Sequence, residues 1–446
     1  MRTGLPPATD TARKAVLIVT GRKKIFYGWW ILAGSVLGLA IVNGASMWAF
    51  GLFIQPLEAD FDWSRTQVTL GFSISLLITG LSSPLVGRAI DAYGPRRVIL
   101  AGALLTPTTY FLLATTANLW QWFFYLTANA IFRHMITFIP LQALISRWFD
   151  KRRGMALGVL MAGAIGGGLV MVPILRVVID EVNWSGGFIF IGIVIAALFV
   201  PFVLFVVRDG PMERHRPNHD DETTTGPRTS SNSHAPEGIP ARDAIRTPLF
   251  WLYAIAMALF FYGFVGWQVH AVPYYESVGL SPTWAASLIS IGAAGAILGR
   301  VTFGIIADRI RVLEVVGAIL VLVFLGGMLV LLLSNGSAVG IGFFIVCFAI
   351  GSGGGPLLEP LLLIRAFGVA NFATIFGVVY VVDTVGIVVS PTVAGAIFDA
   401  TGSYDFALIE LVAAFALSSL VLAIAMRVPK PSYRPGHVLS PLDDDA

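Results

Sequence analysis

The chain has 446 residues, 56% of them hydrophobic and only 12% charged, with a formal net charge of +3, a pI near 9.0 and a mean hydropathy of +0.81. Soluble domains carry about 25% charged residues, so this composition excludes a soluble enzyme or nucleic-acid-binding domain and predicts an integral membrane protein. A single cysteine, Cys347, lies inside an apolar run, which excludes a disulfide framework and a cysteine-based metal site.

Met1 to Lys24 is polar and basic, and its apolar patch Ala15 to Val19 is too short for the core of a signal peptide; residues 1–24 are expected to be a cytoplasmic tail. Beyond it, apolar windows long enough to cross a hydrocarbon core of about 30 Å recur twelve times. They run from Phe26 to Ala49, Thr66 to Ile90, Arg96 to Thr116, Leu119 to Ser146, Gly154 to Ile179 and Ser185 to Val207, then from Pro248 to Tyr274, Trp284 to Ala307, Leu313 to Ser334, Ser337 to Ile364, Phe372 to Ala396 and Tyr404 to Met426. The predicted fold is an all-α membrane protein, with a six-helix bundle over 25–207, a cytoplasmic linker over 208–247, a second six-helix bundle over 248–427 and a cytoplasmic tail over 428–446.

Lys and Arg in short loops stay on the cytoplasmic side. With the N-terminus inside, every Lys and Arg except Arg65, Arg133, Arg176 and Arg300 falls at a cytoplasmic position, which places both termini in the cytoplasm and the chain as a multi-pass protein of the inner or plasma membrane. The linker is rich in Pro, Ser, Thr and charge, and its His215, His219 and His234 lack tight metal-ligand spacing. The sequons at Asn183 and Asn335 fall in predicted outer loops. Gly163 to Gly168 and Gly351 to Pro356 lack the Gly-Lys-Ser/Thr ending of a phosphate loop and read as close helix packing through small residues. No Ser/His/Asp or His-Glu-x-x-His pattern marks a catalytic centre, and no cofactor is implied.

Two short polar stretches repeat. Gly87-Arg-Ala-Ile-Asp-Ala-Tyr-Gly-Pro-Arg-Arg97 lies between the second and third predicted spans, and Gly304-Ile-Ile-Ala-Asp-Arg309 ends the eighth. Each puts Gly-x-x-x-Asp at the end of an apolar helix with basic residues just beyond, so Gly87, Asp91, Arg96, Arg97, Asp308 and Arg309 are expected to form a conformational gate through inter-helix charge contacts. The first stretch resembles the signature loop of the major facilitator superfamily, and its echo implies two related halves around a central cavity.

Within that superfamily, Phe149-Asp-Lys-Arg-Arg-Gly-Met-Ala-Leu-Gly-Val-Leu-Met-Ala-Gly163 is similar to the signature between the fourth and fifth helices of the monocarboxylate porter family. Tyr27-Gly-Trp-Trp30, Phe250-Trp-Leu-Tyr253, His270-Ala-Val-Pro-Tyr274 and Gly279-Leu-Ser-Pro282 resemble bacterial members of the same group, which includes oxalate:formate exchangers. The resemblance implies transport of a small carboxylate with a proton and matches the family's carboxylate-binding arginine to Arg300. The family's eighth-helix Asp falls on Ala296, and the eleventh-helix Lys of oxalate exchangers falls on Asp383, which favours a monocarboxylate over dicarboxylate exchange.

The charges inside the spans lead the same way. A charge at the bilayer centre costs at least about 2.5 kcal/mol and usually faces a wet cavity or a partner. Arg300 precedes Asp308 by eight residues, about 12 Å along a helix, which puts it near mid-depth. It is read as a carboxylate clamp or as a structural partner of Asp383 or Glu359. Arg133, in the fourth span, is read as a second substrate ligand or a gating residue, with Asn129 and Tyr125 on the same helical face. Tyr262 and Tyr380 complete the predicted substrate-binding set.

Asp383 is the predicted proton carrier and Glu359 the second candidate. Low dielectric favours a neutral carboxyl whereas a neighbouring guanidinium favours the charged form, so substrate arriving at an arginine would free the acid to take a proton. The expected function is proton-coupled symport of a monocarboxylate by alternating access, by a monomer in the lipid bilayer. An oxalate:formate-like exchanger is one alternative. A drug or organic-cation exporter is another, left open by Tyr262, Trp267 and Tyr274.

Overall fold

The computed structural model describes residues 26–210, 238–310, 312–334 and 336–431. The expected N-terminal tail, the linker residues 211–237 with their three histidines, Asn335, and residues 432–446 of the C-terminal tail lie outside the described residues.

The described chain is almost wholly helical. The first half contains α1 (Gly28–Asn43), α2 (Ile54–Phe61), α3 (Arg65–Tyr93), α4 (Pro95–Ala114), α5 (Leu119–His134), α6 (Phe138–Trp148), α7 (Arg153–Glu181), α8 (Trp184–Val194) and α9 (Val200–Phe205). A short α10 (Ala241–Arg246) precedes the second half, formed by α11 (Pro248–Ser277), α12 (Pro282–Ala307), α13 (Leu313–Leu333), α14 (Ala338–Phe367), α15 (Phe372–Thr401) and α16 (Asp405–Ala425). Among the described residues, eleven of the twelve predicted crossings are helices long and apolar enough to span a bilayer.

The fourth predicted crossing, Leu119 to Ser146, departs from expectation because it is broken into α5 and α6 at Met135–Thr137. Pro140 explains the break: in a continuous helix its ring would clash with the Ile136 carbonyl and it has no N–H to offer. By restarting the helix at Phe138 the chain puts Pro140 in the first turn, where no intrahelical donor is needed. The break follows directly on Arg133 and His134.

A second irregularity lies opposite. After α1 the chain widens into a π-helical turn, Gly44–Trp48, of the kind that often marks functional positions. The turn lets Asn43 Nδ2 and Trp48 Nε1 both donate to the Ala164 carbonyl of α7, at 2.9 and 3.1 Å, and presents Ser46 towards α5.

Large apolar side chains such as Leu85, Leu298, Val339 and Phe205 remain outward-facing, as helices bathed in lipid require. The second half packs around buried aromatics, with Phe324 and Phe415 ring centroids 4.4 Å apart and Trp267 and Phe344 4.6 Å apart. One set of bonds gathers around the segment that leads from the first half to the second, on what we call the linker face. There Tyr27 bonds the Val206 carbonyl, Trp148 the Arg208 carbonyl and Asn371 the Ile239 carbonyl, while Lys430 pairs with the buried Glu314, which also accepts from Tyr253.

Candidate functional site

The halves are joined on the linker face by two matching interactions. The N-cap residues of α7 and α15, Arg152 and Asn371, provide no side-chain cap, so the first N–H groups of both helices need an acceptor from elsewhere. Asp308, just past α12, accepts from the Gly154 and Met155 N–H groups of α7 at 2.6 and 3.0 Å. Asp91, at the end of α3, accepts from the Thr374 N–H of α15 at 2.7 Å. Each carboxylate thus caps the positive end of a helix in the other half. Close approach depends on glycine: at Gly87 an added Cβ would meet the Ala373 carbonyl, and at Gly154 and Gly304 each other's backbone.

The basic residues beside these acids sit elsewhere. The Arg96 N–H donates to Asp209 at 2.8 Å and its guanidinium to the Leu204 carbonyl at 3.1 Å, while Arg97 and Arg309 are exposed. The cations within electrostatic reach of Asp91 and Asp308 are Arg147 and Arg153. Arg365, which the sequence reading passed over, donates to the Ile310 and Ala307 carbonyls and so fixes the end of α12.

In the last two turns of α12, Arg300 is 8% exposed and its Nη1 donates across the halves to the Met161 carbonyl of α7 at 2.6 Å. Its Nε–H is buried without an acceptor. Among the described residues Arg300 forms no ion pair with Asp383 or Glu359. Those two acids, buried on α15 and α14, instead face each other. Neither oxygen of Asp383 accepts a hydrogen bond from an N–H or hydroxyl donor.

Arg133 and His134 diverge at the end of α5. Arg133 Nη1 donates to Ser46 Oγ at 3.1 Å, inside the first half. His134 turns to the interface, with Nε2 at 2.9 Å from Ser83 Oγ and its ring centroid 5.6 Å from that of Tyr380 on α15. Tyr380 lies within electrostatic reach of Asp383, Glu359 and Arg133, so these residues with His134 form one polar patch crossing between the halves. Asn129 faces inward, donating to Thr109 at 2.8 Å and lining the same small cavity as Arg133.

Tyr125 is half-buried, with its ring against that of Phe124. Tyr262 donates to Glu410 on α16. Glu410 and Glu314 were missed in the sequence, although each is a single acid within an apolar run and the rule that singled out Glu359 applies to both.

Helices long and apolar enough to cross a bilayer, gathered in two halves that cap each other's helices on one face and bury isolated charges, fit a multi-pass membrane transporter. The chain belongs to the Major Facilitator Superfamily, whose family model matches residues 36–391. It is 25% identical over 420 residues to human "Monocarboxylate transporter 12", covering 91% of this chain and 81% of that protein. It is 27% identical over 412 residues to "Monocarboxylate transporter 4" of Rattus norvegicus, covering 89% and 83%. Among solved structures, the fold is similar to FucP in the outward conformation, with a TM-score of 0.68 at 14% identity over 89% of this chain and 98% of that one. It is also similar to the human organic anion transporter MFSD10, with a TM-score of 0.69 at 13% identity over 89% and 99%.

Replacing Asp308 with Asn removes the charge and one of the two acceptor oxygens, leaving an amide NH2 against one of the α7 N–H groups. Hydrogen bonds to charged groups contribute about 1.5–3 kcal/mol against about 0.5–1.5 for neutral ones. A loss of at least about 1–2 kcal/mol is expected, a shift of about five- to thirtyfold or more away from the closed linker face. Spin labels at the exposed positions Tyr93 and Val312 report it as a longer distance population, and an unchanged distribution would refute the capping role.

Proposed function

We propose that this chain carries a small monocarboxylate across the cytoplasmic membrane by proton symport, with the linker face in the cytoplasm and the sealed conformation open outward. One observation carries the reading. Arg300 and Arg133, one from each half, form no ion pair among the described residues and keep a buried Nε–H without an acceptor, while the two interfacial acids face each other. A guanidinium satisfied only by backbone and hydroxyl oxygens retains its full charge, and a planar carboxylate is the partner its fork of donors fits. Charge complementarity therefore favours an anionic solute, and the names of the relatives agree with it.

In this reading Arg300 clamps the carboxylate in exchange for the Met161 carbonyl, and the Glu359–Asp383 pair holds the coupled proton. Tyr380 and His134 link the pair to the first half. Trp267 and Tyr274 are buried within the second half, at 2% and 4% exposure. That withdraws much of the aromatic lining on which an organic-cation exporter would depend.

Purified protein in liposomes, offered labelled carboxylates with and without an imposed pH gradient, tests the assignment. Arg300→Gln should cost about 2–5 kcal/mol of solute binding, at least a tenfold loss of apparent affinity. Arg300→Lys, which keeps the charge and the bond to Met161, should retain the fold and restore uptake only partly. Full carboxylate uptake by Arg300→Gln would overturn the clamp.

Asp383→Asn should abolish accumulation driven by the pH gradient and leave solute exchange running. Unchanged accumulation would remove Asp383 from coupling, and Glu359→Gln then tests the other member of the pair.

A further inference from the structure

The cavity inside the first half holds two buried donors that lack acceptors, the Arg133 Nε–H and the Tyr110 hydroxyl. Tyr110 is 3% exposed. Of the other donors in the wall, Asn129 Nδ2 bonds Thr109 and the Ser46 hydroxyl bonds the Val42 carbonyl, and Ser75 adds a further hydroxyl. Much of the remaining wall is aromatic, with Phe50 stacked on Phe72 at 4.4 Å and Phe53 on Phe188 at 4.2 Å.

From this geometry we infer that the cavity is a binding site for one small monovalent anion of halide size, chloride being the natural occupant. Charge is the first reason: Arg133 has no carboxylate in an ion pair among the described residues, and a partly buried guanidinium without a paired anion is costly. Donor count is the second. A water would satisfy both free donors but must place two hydrogens of its own against a largely apolar wall, whereas an anion only accepts. Aromatic edges carry positive charge and suit an anion as well. Size is the third: the cavity is about 20 Å³, above the roughly 10–15 Å³ that one water-sized occupant needs and too small for a carboxylate with its carbon chain.

The site lies within one half and does not include Arg300; an anion bound here would neutralise Arg133 and leave Arg300 alone to carry the reading of the transported solute. An anion here would hold Arg133 against Ser46 and brace the π-helical turn and the end of α5, the two irregular segments bordering the interface.

Thermal unfolding of the purified protein in potassium chloride and in potassium gluconate at equal ionic strength tests it. A saturable rise in midpoint is expected with chloride and bromide, following mass action, and absent with gluconate. Arg133→Gln should lose the response, Tyr110→Phe should weaken the apparent chloride affinity at least tenfold, and the surface variant Arg176→Gln should keep it. Equal midpoints in both salts, or a response that survives Arg133→Gln, would overturn the site. Should Arg133→Gln not fold, an unchanged chloride midpoint in Tyr110→Phe would do the same. Competition between formate and chloride for the response would assign the cavity to a carboxylate head and overturn the halide.

Discussion

Two helices in this protein begin without a cap of their own and take one from the opposite half. That arrangement makes the closed linker face a joint property of both halves, because the N–H groups of α7 and α15 and the carboxylates of Asp308 and Asp91 satisfy each other only when the halves meet. When the face opens, all of these groups meet water and exchange one set of hydrogen bonds for another. The net gain on closure is then a few kcal/mol for the pair, enough to define a state and small enough for a bound solute to reverse. Glycine at Gly87, Gly154 and Gly304 sets the distance at which the caps work.

The buried charged groups follow the opposite rule. Arg300 is held by a backbone carbonyl, a dipole without net charge, although two carboxyls lie in the neighbouring helices. Were Arg300 paired with Asp383, each would neutralise the other and neither would have reason to receive a partner from solution. Burying a cation and an acid pair separately costs stability, which the surrounding helix packing offsets, and it leaves both groups chemically available.

Much of this architecture was legible in the sequence because hydropathy concerns one residue and its solvent. Eleven crossings, the repeated Gly-x-x-x-Asp stretches and the isolated charges at Arg133, Arg300, Glu359 and Asp383 all stand out against apolar neighbours. The break in the fourth crossing was legible too, in Pro140, but a continuous hydropathy window hides it. Partners were the harder part. Thr374 offers Asp91 a backbone N–H, and Met161 offers Arg300 a backbone carbonyl, and such groups are present at almost every position and carry no side-chain signature. Nothing local distinguishes Arg147 and Arg153, which reach the gate acids, from Arg96, Arg97 and Arg309, which neighbour them in sequence. Glu314 and Glu410 carried the same signal as Glu359, a single acid within an apolar run, and only their partners Tyr253 and Tyr262 were hidden from the sequence.

The polar patch running from Glu359 and Asp383 through Tyr380 and His134 to Arg133 gives the proposed coupling a physical route. His134 meets Ser83 on α3 and the Tyr380 ring on α15, and these two helices also meet at the Asp91 cap. On the proposed coupling, a change in charge at the acid pair would act on the same helix pair that closes the linker face. Proton binding and the position of the halves are linked in this scheme, and linkage is reciprocal: whatever the proton does to the seal, closing the seal must do to the proton. Arg300 bridges the other pair, α12 and α7, which meet at the Asp308 cap. Solute and proton would thus each address one of the two caps. Because the halves separate only when both caps release, a carrier built this way favours moving with both ligands bound over moving with one.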